Sequence, residues 1–261
     1  MRVNRSRFGL KVLVGVCLLG AVSGCGTSEY EALVAARFKD VQLQGPFRKL
    51  FAPAAIPGTP FKIRVPMVFN SSYLANSPHT DDGEKINPQR VQPPFLELPG
   101  FRLCYEGVAA SVSSSPPFYC YLAAFPCKPG DGEKWEADLQ AKLKALFPNT
   151  PDTWETVQAL TPKGDSLTWK KIRVINEQDW LTNDAEGKVK PTRMNGTFEL
   201  WLYEGNDHIV LMAWRVPASL DAPPAGGGAD DRPDMAIMPG RTAGTLVFEP
   251  EAEQPAAAPG A

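Results

Sequence analysis

Gly196-Thr197-Phe198-Glu199-Leu200-Trp201-Leu202-Tyr203-Glu204-Gly205-Asn206-Asp207-His208-Ile209-Val210-Leu211-Met212-Ala213-Trp214-Arg215-Val216-Pro217 is the stretch on which the fold turns. Two runs rich in aromatic and branched residues flank Gly205-Asn206-Asp207-His208, and Asn and Asp tolerate the left-handed backbone of a tight hairpin. With Asn206 and Asp207 as the two loop residues, Trp201 faces Met212, Leu202 faces Leu211 and Tyr203 faces Val210. Side chains alternate along a strand, so Trp201, Tyr203, Val210, Met212 and Trp214 share one face. Phe198, Leu200, Leu202, Leu211 and Ala213 share the other. Both faces are apolar, which predicts a hairpin in the middle of a sheet with cover on each side.

Upstream, Trp135, Leu139, Leu143 and Leu146 recur at helical spacing, with Ala137, Ala141 and Ala145 between them. The spacing predicts a helix over Asp131–Phe147, capped by Asp131 and ended by Pro148. Further strands are predicted over Phe61–Phe69, Phe101–Glu106, Phe118–Phe125, Thr153–Leu160 and Leu167–Val174. Pro233–Phe248 has the pattern of a C-terminal helix or a short strand at Thr245–Phe248. Strands, helix, strands and a terminal helix make an α+β fold with a mostly antiparallel sheet. Over roughly residues 95–248 this order, with the aromatic hairpin, resembles the PsbP-like sandwich of several bacterial envelope lipoproteins. Phe61–Val68 and the Pro-rich loop after it lie outside that pattern.

At the start of the chain, Arg2, Arg5, Arg7 and Lys11 precede an apolar run, Val12–Val22. The run is too short to cross about 30 Å of hydrocarbon as a helix, so residues 1–24 read as a signal peptide. Val22-Ser23-Gly24-Cys25 is similar at each position to the bacterial lipoprotein lipobox. That resemblance implies a diacylglyceryl thioether on Cys25, cleavage before it and acylation of the new amino group. Two or more acyl chains hold a protein lastingly on a membrane, where one does so marginally. Gly26 and Thr27 follow, and the lack of Asp there implies, by the same resemblance, the outer membrane of a double-membraned organism.

Residues 25–60 read as a lipidated terminus and tether, punctuated by Gly45-Pro46, Pro53, Pro57-Gly58 and Pro60. A flexible coil of this length reaches about 30 Å. Within it, Ser28–Asp40 can form an amphipathic helix with Tyr30, Leu33, Val34 and Phe38 on one side. Residues 61–248 form the expected domain, of ordinary single-domain size, with a flexible loop at 222–234 and a disordered Pro/Ala/Glu tail at 249–261. The formal net charge is −2 with no basic run beyond the signal, which disfavours a nucleic-acid partner.

The chain has two histidines. His79 sits among Asp81, Asp82 and Glu84, at spacings that match neither a zinc nor a calcium pattern, and His208 follows the hairpin turn. No nucleophile elbow, zinc-protease motif, P-loop or dinucleotide fingerprint is present, so no catalytic residue, metal or cofactor is assigned. Glu204 with Asp207 is a carboxylate pair of the kind a glycosidase uses and of the kind chance supplies. Cys104, Cys120 and Cys127 remain once Cys25 carries lipid. A Cys104–Cys120 bridge, a Cys120–Cys127 bridge and three free thiols are the alternatives. Cys127 also precedes the Trp135 helix, where a helix N-terminus can lower a thiol pKa. Trp201, Tyr203 and Trp214 offer an aromatic face for a glycan or peptide if exposed, and core packing if covered.

The functional expectation is a lipid-anchored envelope protein, membrane-attached through Cys25 and facing the periplasm or exterior. Its domain is expected to bind an envelope protein or cell-wall polymer through an exposed patch of sheet or the loop Tyr73–Pro94. The alternatives are a hydrolase with a dispersed site, needing His79 or His208 in a cleft beside a carboxylate or serine, and a small-solute or lipid carrier with an apolar cavity between helix and sheet.

Overall fold

The computed structural model describes residues 27–74, 101–107, 116–183, 189–221 and 234–249. Two compact units divide at Pro46 and Phe47. In the first, α1 runs over Thr27–Gln44. No helix among the described residues is long and apolar enough to cross a membrane.

The second unit is an α+β domain whose described strand pairings are all antiparallel. Its elements are β1 (Ala54–Ala55), β2 (Phe61–Ile63), β3 (Phe69–Leu74), β4 (Phe101–Gly107), β5 (Phe118–Pro126), α2 (Gly132–Leu146), β6 (Glu155–Leu160), β7 (Ser166–Asn183), β8 (Val189–Gly205), β9 (His208–Pro217), α3 (Ala218–Asp221), α4 (Met238–Ala243) and β10 (Val247–Phe248). The large sheet has the order β3-β4-β5-β9-β8-β7-β6, and a small sheet has the order β1-β2-β10.

The central hairpin has the register that its sequence predicts, with Trp201 opposite Met212, Leu202 opposite Leu211 and Tyr203 opposite Val210. Its turn is made by two non-glycine residues at positive φ, Asn206 at 52° and Asp207 at 56°. One face of the hairpin (Trp201, Val210, Met212, Trp214) packs with Phe47, Leu50, Ile56, Phe61, Ile63 and Met238 in one core. The other (Phe198, Leu200, Leu202, Leu211, Ala213) packs with Leu139, Leu143, Phe147 and Trp180 in a second. The domain therefore has three layers, with the small sheet and α4 on one side of the large sheet and α2 on the other.

The helix α2 falls where its spacing predicts, but Leu146 is exposed and Phe147, just past its end, is buried in its place. Asp131 takes the N-cap position, but its carboxylate makes no capping bond: it accepts from the backbone N–H of Lys128, closing the preceding turn. The domain also starts earlier than the tether reading has it. Phe47, Leu50 and Ile56 are core residues, because the Pro-rich segment lies along the sheet and buries its scattered apolar side chains. Each such burial is worth about 1.5–3 kcal/mol. The strand expected over Phe61–Phe69 is interrupted between β2 and β3, around an isolated bridge between Leu50 and Pro66. Both C-terminal alternatives occur, as α4 followed by β10. Residues 75–100, 222–233 and those beyond Glu249, on which the expected loops and tail fall, lie outside the described residues, as do Cys25 and His79.

Candidate functional site

The buried polar residues of the large sheet fall into two clusters, one on each face. The first runs straight across four strands. Register places Glu106 opposite Tyr119, Tyr119 opposite Arg215 and Arg215 opposite Phe198. Glu106 and Arg215 are both buried, which only partnered charges tolerate. Arg215 Nε donates to Gln178 Oε1 at 2.9 Å, and Nη2 donates to the backbone oxygen of Asp179. Its guanidinium stacks over the Trp180 ring at 4.5 Å. Burial pushes the Tyr121 phenol well above the usual range, and the nearby Arg215 guanidinium pulls the other way. Tyr119 and Tyr121 stack at 5.8 Å. Gln178, Asp179 and Trp180 come from the far half of β7, beyond Val174 where the strand was predicted to end. That half folds against the sheet and makes the wall of the cluster. A long, mostly polar ribbon has no apolar alternation to mark it, so nothing in the sequence announced this wall.

The second cluster lies on the opposite face. The Trp201 indole N–H donates to Glu199 Oε1 at 2.6 Å, and Arg173 Nε lies 4.0 Å from Glu199 Oε2. Lys171 stands over the Trp201 ring at 5.6 Å and pairs with Glu155 at 3.0 Å. Trp169 packs edge-on to Trp201 and against Tyr203. Trp201 is 3 % exposed and Trp214 is fully buried, while Tyr203 is half-buried. The expected aromatic binding face is therefore core. Phe61, Met238 and neighbouring residues cover it, arriving from segments more than a hundred residues upstream or about twenty to forty downstream.

Among the described residues, Cys104, Cys120 and Cys127 form no disulfide. Cys104 lies opposite Tyr121 and Cys120 opposite Tyr105, so the two cysteines are diagonal neighbours whose side chains enter different cores. A Cys104–Cys120 bridge would have to pass through the sheet, and the expectation of one is corrected on that ground. Burial raises the pKa of both thiols. Cys127 is not activated by its helix either: burial first, then Glu204, Asp131 and Asp207, push its pKa up.

Glu204 and His208 each contact a neighbouring backbone group. Glu204 Oε1 accepts from the backbone N–H of Gly130 at 2.9 Å, tying the loop before α2 to the hairpin. His208 Nδ1 lies 2.7 Å from the oxygen of Asn206, and its ring meets the edge of Phe61. Among the described residues no three His, Cys, Asp or Glu side chains are grouped to hold a metal. In both clusters the hydrogen bonds and ion pairs run between protein groups, while the buried Trp169 Nε1 has no hydrogen-bond partner among the described residues.

No family model matches this chain, and no curated protein matches it. Among solved structures, the chain is similar to a protein of Bacteroides thetaiotaomicron VPI-5482, with a TM-score of 0.36 and 14 % identity over 74 % of this chain and 46 % of the other. This chain thus spans less than half of that protein. It is also similar to the Saccharomyces cerevisiae Ran-binding protein Mog1p, with a TM-score of 0.36 and 12 % identity over 76 % of this chain and 94 % of the other.

Proposed function

We propose that this chain is a lipid-anchored protein of a bacterial cell envelope, whose α+β domain serves as a binding or structural module. The observation that carries the reading is the layout of the N-terminal region. The lipobox-like Val22–Cys25 is followed at once by a helix, Thr27–Gln44, and then by a separate compact domain from Phe47. Anchor, spacer and body follow one another in that order. An 18-residue helix holds its ends about 27 Å apart, a stiffer spacer than a coil.

The domain's own chemistry supports the same class of role. The buried Arg215 and Glu199 are held by neighbouring protein groups, and the space between α2 and the sheet is filled by one packed core that includes Leu139, Leu143, Leu200 and Leu211. Both faces of the large sheet are covered at its centre. Contact with an envelope protein or cell-wall polymer therefore falls to the sheet's edges and the loops. At the β6 edge, Leu160 is 48 % exposed.

Intact-mass analysis of membranes from cells producing the wild-type and Cys25→Ser chains tests the anchor. The wild-type mass should lack residues 1–24 and carry the lipid, and the variant should lose both lipid and membrane retention. A photo-crosslinker at Gln158 then tests the edge. A wild-type chain that is processed, unlipidated and free in the soluble fraction would end this reading.

A further inference from the structure

We propose that α1 lies along the surface of the lipid bilayer, with its apolar stripe in the boundary between headgroups and acyl chains. This rests on the anchor reading and assigns the lipid as the occupant of a particular face. Tyr30, Leu33, Val34, Phe38 and Val41 fall on one side of the helix, together with Arg37. These side chains border one open, apolar hollow. They are far from buried: Tyr30 is 69 % exposed, Leu33 71 % and Phe38 63 %.

An isolated helix of this length is marginal in water, and most helical stability in proteins comes from covering an amphipathic face. The α1 stripe therefore needs an apolar partner. Cys25 stands two residues before the helix starts and five before Tyr30. Five residues span at most about 18 Å of chain, so acyl chains on Cys25 bring a bilayer within reach of the first turn. Arg37, in the middle of the stripe, is long enough to lay its methylenes along the apolar surface and return its charge to the phosphates.

The charges of α1 favour hydrophobic contact over electrostatic capture. Glu29, Glu31 and Asp40 outnumber Arg37 and Lys39, whereas helices that seek anionic lipid unaided carry a basic polar face. Alone, α1 binds a bilayer weakly. Tied to acyl chains, it binds at high effective concentration.

The test uses the full chain, exported and processed in cells, purified from membranes and returned to phosphatidylcholine vesicles. In a Cys127→Ser background, an environment-sensitive thiol label is placed at Leu33→Cys or at Ala32→Cys. Ala32 lies about 180° around the helix from the centre of the stripe. The label at Leu33 should be quenched at least twofold more by doxyl lipids than the label at Ala32, with the reverse order for aqueous iodide. Equal, aqueous quenching of both, in a chain that floats with its vesicles and carries lipid by mass, would overturn the helix placement and leave the anchor standing. A Leu33 label shielded from both quenchers would place protein on the stripe, a second copy or another part of the chain, and would also overturn it. An unlipidated chain that does not float would overturn both.

Discussion

Replacing Arg215 with Met should cost the domain about 4 kcal/mol. The guanidinium donates to Gln178 Oε1 and to the backbone oxygen of Asp179, and stacks on Trp180 at 4.5 Å. Hydrogen bonds from a charged donor contribute about 1.5–3 kcal/mol each, and a desolvated cation–π contact about 2. These terms sum to about 5–8 kcal/mol. Met satisfies none of the acceptors, but it fills most of the methylene volume and removes the cost of burying a charge, which brings the net loss to about 4 kcal/mol. Gln178 is itself buried, and its oxygen would be left facing the thioether. For a domain of this size each kcal/mol lowers Tm by about 2–4 °C, so a fall of roughly 10 °C is expected. Urea unfolding of the Cys25→Ser chain, followed by tryptophan fluorescence, gives the free energy without detergent. A double-mutant cycle with Gln178→Leu should return a coupling of about 1.5–3 kcal/mol. A loss under about 1 kcal/mol, with no coupling, would refute the clamp and mean that water replaces the guanidinium at no cost.

Other outcomes follow from the same structure. A Cβ at Gly244 would collide with the carbonyl oxygen of Leu160, where backbone meets backbone and neither side chain can yield, so Gly244→Ala should lose about 2–3 kcal/mol in the same assay. Burial pushes the Tyr105 phenol up to about 12. Above pH 10 the unfolded chain releases that proton while the folded chain keeps it, so this contribution to stability is complete below pH 10 and is lost as pH rises toward 12. Urea midpoints across that range, beside absorbance titration of the phenols, check the sign. Of Cys104, Cys120 and Cys127, only Cys127 should react with Ellman's reagent in the native chain, more slowly than free cysteine, and reduction should not change the intact mass.

The hairpin was legible because its determinants are local. Asn206 and Asp207 set the turn, the turn sets the register, and the register sets which side chains share a face. The helix α2 was legible for the same reason. Its Leu146 was misplaced because a helix end unwinds onto whatever lies below it, and Phe147 lay closer to the core. The cover over Trp201 and Trp214 could not be read, since alternation shows that a face is apolar but not which distant segment lies on it. Phe47–Ile56 reads as a tether through Pro53 and the prolines that flank it, yet its apolar side chains are widely spaced by turns and still meet one core. The buried row Glu106–Tyr119–Arg215 needed the pairing of strands far apart in the chain, which no local pattern encodes.

The order β3-β4-β5-β9-β8-β7-β6 puts β9, the last strand of the large sheet to be made, between β5 and β8. Until His208–Pro217 has been synthesised, the earlier strands form two separate pieces, each with an apolar edge waiting for the same partner. The sheet therefore cannot close around a chain that stops before β9. A keystone strand made after its neighbours on both sides works as a built-in delay. A truncation ending before His208 should leave two sticky half-sheets rather than a smaller domain.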